Sequence, residues 1–83
     1  MALIKIRYHG SQVFFWVTWS DGTRHEYATN PDGQGLFVCG PHGDRRQFRG
    51  TCQFSASENR STARRQFIRT MGEEYLREEY RHA

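Results

Sequence analysis

The sequence predicts an α+β fold: a four- to five-stranded antiparallel sheet with one C-terminal helix packed on one face. Three observations carry that expectation. Residues 3–54 break into short β-branched and aromatic runs separated by Gly-, Pro- and Asp-containing segments. Beyond them the apolar period lengthens, with Ala63, Phe67, Met71 and Tyr75 recurring one helical turn apart and Ile68, Leu76 and Tyr80 flanking the stripe. Finally, 83 residues supply one core and no second lobe, so residues 1–83 read as a single domain.

The first strand, about residues 3–8, alternates Ile4, Ile6 and Tyr8 with Leu3, Lys5 and Arg7, the period of a sheet with one buried face. His9-Gly10-Ser11 can turn, and a second strand follows over about 12–19. Asp21-Gly22 is a strong two-residue hairpin signal leading to a third strand at about 23–29. Asn30-Pro31-Asp32-Gly33-Gln34-Gly35 is a loop by composition. Residues 36–39 and 47–54 read as two more strands, with Gly40-Pro41-His42-Gly43-Asp44 turning between them. Ser55 followed by Glu58 has the spacing of a capping box, which places a helix over about 56–80, bent or stopped near Gly72. The helix is basic in its first half and acidic in its second, against the preference of the helix dipole. Packing, a partner or history set that order.

Pairing registers assign the faces. A two-residue turn at Gly10-Ser11 sets Ile4 opposite Val17, Ile6 opposite Phe15 and Tyr8 opposite Val13. A type I′ turn at Asp21-Gly22 sets Trp16 opposite Tyr27 and Thr18 opposite His25. One face then carries Ile4, Ile6, Tyr8, Val13, Phe15, Val17 and Trp19 and should receive the helix. The other carries Leu3, Lys5, Arg7, Phe14, Trp16, Thr18, His25 and Tyr27, mixing rings with cations. A last hairpin centred on residues 43 and 44 puts Phe37, Cys39, Phe48, Cys52 and Phe54 on one face. The expected core is Ile4, Ile6, Val13, Phe15, Val17, Phe67 and Met71, joined by Phe37, Phe48 and Phe54.

Charge is concentrated. Arg45, Arg46, Arg49, Arg60, Arg64, Arg65 and Arg69 lie within 25 residues that hold one acid, Glu58, although the whole chain is only +3. Guanidinium groups match phosphate and carboxylate geometry, and such a cluster repels itself unless an anion neutralises it. The expectation is one positive zone beside the first turns of the helix. The aromatic-basic sheet face is a second candidate site, since rings on a sheet stack bases while nearby cations neutralise phosphates. The same rings could instead be covered by the 30–35 loop, by later strands, or by a protein or homodimer mate.

Other chemistry is sparsely represented. Cys39 and His42 have metal-like spacing, with Cys52 elsewhere, but no second tight pair completes a zinc site. The two cysteines read as free buried thiols. No nucleophile elbow or phosphate loop is present, and His42 with Asp44 reads as turn chemistry, so neither catalysis nor a cofactor is expected. No apolar run approaches the ~18 residues of a membrane span, and the start lacks a secretory signal pattern, which points to the cytoplasm. The sequence therefore leads to a small non-enzymatic protein-binding effector, of the kind phages and mobile elements use as inhibitors. It would dock on the acidic surface of a larger nucleic-acid-handling machine through its arginines and aromatic patch. The alternative is a direct DNA- or RNA-binding module.

Overall fold

The computed structural model describes residues 3–39, 45–54, 59–72 and 75. Strands β1 (Leu3–His9), β2 (Gln12–Thr18), β3 (Arg24–Ala28), β4 (Gln34–Cys39) and β5 (Arg45–Gln53) precede helix α1 (Arg60–Met71). The strands form one antiparallel sheet in the order β1-β2-β3-β4-β5, a meander, and the helix packs on one side of it. The fold is the α+β arrangement expected.

The first hairpin has the expected register: Ile4 pairs Val17, Ile6 pairs Phe15 and Tyr8 pairs Val13. The second does not. Phe15 pairs Tyr27, Trp16 pairs Glu26 and Val17 pairs His25, one residue away from the type I′ expectation. The cause is a three-residue loop in place of a two-residue one. Trp19 donates its N–H to Thr23 (2.8 Å) and accepts from the Gly22 N–H (2.9 Å), closing a turn before Gly22, which has φ 90°. Asp21 holds the exit by accepting the Thr23 N–H at 2.9 Å. This is a type I turn followed by a left-handed glycine.

The loop after β3 repeats the construction. Asn30 accepts from Gly33 (2.9 Å) and donates to Gln34 (3.0 Å), while the Asp32 carboxylate accepts the Gln34 N–H. Gly33, at φ 84°, is also pressed so close to the Phe54 carbonyl that a β-carbon there would collide with it.

The last hairpin differs as well. Cys39 pairs Arg45 and Phe37 pairs Gln47, with register shifts on either side of Leu36. Phe37 and Cys39 therefore point away from the helix, and Leu36 replaces Phe37 in the core, fully buried. Phe48 and Cys52 pack against the core and Phe54 belongs to it, so the five residues do not share one face.

The helix begins at Asn59, whose side chain accepts the Thr62 N–H at 2.8 Å. Asparagine is a preferred N-cap for this reason. The helix starts later than expected, and the Ser55–Glu58 capping box lies outside the described residues. Gly72, with φ 56°, ends α1 by donating to the Ile68 carbonyl. Tyr75, beyond that break, is buried; the expected stretch 76–80 lies outside the described residues.

Ala63, Phe67, Met71 and Tyr75 form the buried stripe. Phe67 stacks on Phe15 (4.4 Å between centroids, 17° between planes) and meets Tyr27 edge-on at 5.3 Å. Trp19 packs on Tyr75 and donates its indole N–H to His25 Nδ1 at 2.6 Å. Such ring pairs add about 0.5–1.5 kcal/mol each beyond burial. His25 and Tyr27 thus serve the core side of the sheet, which corrects their expected place on the opposite face.

Candidate functional site

The face of the sheet turned away from α1 is covered by no described element. Pairing arranges its side chains in rows across the strands. One row runs Lys5, Trp16, Glu26, Cys39, Arg45; the next runs Arg7, Phe14, Ala28, Phe37, Gln47; Leu3, Thr18 and Arg24 flank the first. The later strands widen this face where they could have folded over it. The 30–33 loop, anchored to Phe54, stays at the end of the sheet.

Phe14 and Trp16 stand two residues apart on β2 with nearly parallel rings, 5.7 Å between centroids and 14° between planes. A depression on one side is lined by Leu3, Lys5, Arg7, Trp16, Thr18 and Arg24, and another by Arg7, His9, Phe14 and Trp16. Leu3 is 70% exposed. The third ring, Phe37, carries the Arg45 guanidinium 4.2 Å above its centroid. Arg45 is held there by the Thr29 carbonyl at 3.1 Å, which also accepts from Gln12 Nε2 at 2.9 Å. Thr29 can offer that carbonyl outward because its hydroxyl takes over the ladder, accepting the Val13 N–H at 3.0 Å.

Among the described residues four cations, Lys5, Arg7, Arg24 and Arg45, share this face with one acid, Glu26. Burial pushes the Cys39 thiol above its ordinary range; the Glu26 carboxylate adds to that shift and the Arg45 guanidinium opposes it. Cys39 and Cys52 are both free thiols. Among the described residues no three His, Cys, Asp or Glu side chains gather to hold a metal ion, and His42 lies outside them. No described helix is long and apolar enough to cross a membrane.

The expected arginine zone divides. Arg45 is on the open sheet face, with the sheet between it and the helix arginines. Arg46 borders a depression at the end of the sheet with Trp16, Arg24, His25 and Glu26. Arg49 serves the fold: its Nε donates to the Thr70 carbonyl at 3.1 Å and its guanidinium lies over Phe48 at 4.7 Å. Arg60 reaches toward the Ile6 carbonyl of β1, at 3.5 Å. Arg64, Arg65 and Arg69 are exposed on α1, and Arg65 and Arg69 flank a shallow depression with Thr62 and Gln66.

Of the residues singled out from sequence, Lys5, Arg7, Phe14, Trp16 and Arg45 come together, and His25 and Tyr27 do not join them. Arg24, Glu26 and Phe37 are members that sequence reasoning missed. The signal for the first two was the Asp-Gly loop: read as a three-residue turn, it places Arg24 and Glu26 on the open face. Phe37 follows from the register of the last hairpin, which shifts on either side of Leu36. In comparisons with protein-family models, curated proteins and solved structures, nothing matches the chain.

Proposed function

We propose that this protein is a non-enzymatic binding module that takes a single-stranded nucleic acid on the open face of its sheet. The observation that carries the reading is the near-parallel Phe14–Trp16 pair standing among Lys5, Arg7, Arg24 and Arg45 on a face no described element covers. Rings supply stacking of ~1–3 kcal/mol per base, and flanking cations neutralise the backbone. The guanidinium of Arg45, held over Phe37, offers a further planar surface for a base. A duplex suits this site less well, since paired bases keep their faces inside their own stack.

The test is titration of a fluorescently labelled single-stranded oligonucleotide, read by anisotropy over a range of salt. With three to four phosphates neutralised, log K should fall against log salt with a slope of about −2 to −3. Trp16→Ala should weaken binding by roughly 5- to 150-fold, the equivalent of one stacked base. Binding indifferent to both salt and Trp16 would refute the reading.

A second reading rests on a different surface. Helix α1 holds four arginines and no acid, and Arg64, Arg65 and Arg69 are exposed on the side away from the sheet platform. That surface fits the acidic patch of a partner protein, and the module would then act as an effector docked on a nucleic-acid-handling machine. Charge on such a surface governs encounter and register more than raw affinity. Affinity capture with and without nuclease separates the two readings: a stable protein complex that survives nuclease, with no oligonucleotide binding, favours the effector.

A further inference from the structure

Among the described residues Glu26 is the one acid on the open face, and its position is informative. It is the direct cross-strand partner of Trp16 on β3. The alternation of the ladder makes this a non-hydrogen-bonded pair, because Val13 bonds to Thr29 and Trp19 to Thr23 on the same two strands. Side chains approach most closely at such pairs, with Cα atoms about 4.5 Å apart. On the other side Glu26 is paired with Cys39, a small side chain, so the carboxylate has room on that flank. Arg24 is on the same strand face, and Arg24 and Arg46 border a depression with it. A carboxylate on a phosphate-binding surface lowers affinity for the backbone through like-charge repulsion. Its useful chemistry there is that of an acceptor beside a stacking ring.

We infer that Glu26 selects the base that stacks at Trp16, favouring one that presents an exocyclic amino group, with cytosine over thymine or uracil as the pyrimidine case. This rests on the nucleic-acid reading above. An ionised carboxylate only accepts hydrogen bonds. The N4 amino group of cytosine donates to it, whereas the O4 carbonyl of thymine or uracil faces it acceptor to acceptor. Trp16 by itself tolerates any base, since every base has a π-face. The ring therefore supplies affinity and the carboxylate supplies choice.

The experiment compares an eight-residue oligo-dC with an eight-residue oligo-dT on the wild-type protein and on Glu26→Gln, at fixed salt. The wild type should prefer oligo-dC by about tenfold, the scale of one good base-edge contact. Glutamine can donate as well as accept, so Glu26→Gln should bring the ratio close to one. Removing the negative charge raises the affinity for both oligomers alike, and the ratio is insensitive to that gain. Equal wild-type affinities would overturn the role of Glu26 and leave the platform standing. So would a tenfold preference that survives in Glu26→Gln. Failure of the wild type to bind either oligomer would overturn the platform reading and this inference together.

Discussion

Replacing Thr29 by valine tests the corner on which the open face depends. Thr29 is fully buried. Its hydroxyl accepts the Val13 N–H at 3.0 Å and donates to the Asn30 carbonyl at 2.8 Å. Valine has the same shape without the hydroxyl, so the packing stays while Val13 loses its acceptor inside the protein. An orphaned buried donor costs about 1–3 kcal/mol. The Asn30 carbonyl still accepts from Gly33, so that side adds little, and the expected loss is about 2 kcal/mol. For a domain of this size each kcal/mol moves Tm by about 4–8 °C, which gives a drop of roughly 8–16 °C. Urea unfolding with thermal denaturation measures it, and Thr29→Ser is the control. Serine keeps the hydroxyl and removes a methyl, at a cost of about 1 kcal/mol. If the hydroxyl replaces a ladder carbonyl as described, valine is the more damaging change and the Val13 amide loses hydrogen-exchange protection. Valine equal to wild type, with serine the weaker of the two, would show that volume matters there and refute the reasoning.

Three further perturbations probe neighbouring parts of the molecule. Arg45→Gln should reduce the steepness of the salt dependence of oligonucleotide binding by about 0.7, one phosphate's worth on a single strand; an unchanged slope would remove Arg45 from the contact surface. His25→Leu strips the buried Trp19 indole N–H of its acceptor and should cost about 1–3 kcal/mol in urea unfolding, while His25→Gln, which can accept, should recover part of that loss. Cys39, in a Cys52→Ala background, should react slowly with a maleimide at neutral pH, because its thiol is held above the ordinary range and the thiolate is the nucleophile. The rate should climb as pH rises, quicken in Glu26→Gln, slow in Arg45→Gln, and fall when an oligonucleotide occupies the face.

Periodicity made the fold class and most of the core legible. The alternation of β1 and β2 and the spacing of Ala63, Phe67, Met71 and Tyr75 each have one good solution in a half-buried sheet and its covering helix. The candidate site was less legible, because its membership depends on loop length and not on pattern. Arg24-His25-Glu26-Tyr27-Ala28 contains no clean apolar alternation, so nothing within β3 says which side chains face the core. Only the turn decides, and Asp-Gly is compatible with either a two- or a three-residue loop. A side-chain period of two converts that single-residue difference into an exchange of faces. The later strands compound the problem: the shifts around Leu36 are invisible to a reading that centres the last hairpin by composition. The arginines illustrate the same limit. Proximity in sequence put Arg45 and Arg69 in one cluster, whereas the sheet separates them.

The loop chemistry explains why the open face has the character it does. Had the second hairpin closed with two residues, Trp16 would stand beside Tyr27, and the face would be a continuous aromatic strip needing a cover. The three-residue loop instead gives Tyr27 to the core, where it meets Phe48 and Phe67 edge-on, and sets Glu26 beside Trp16. The second Asp-Gly loop ends β3 at the corner where Thr29 turns its carbonyl outward, and that carbonyl holds Arg45 over Phe37. Two loops of one design therefore yield a surface on which a stacked ring pair stands among cations and beside the Glu26 carboxylate, where the plain hairpin would yield an apolar patch. Large apolar patches call for burial against another protein. On the nucleic-acid reading proposed above, a face that mixes rings with charges would instead offer stacking to bases and neutralisation to the backbone.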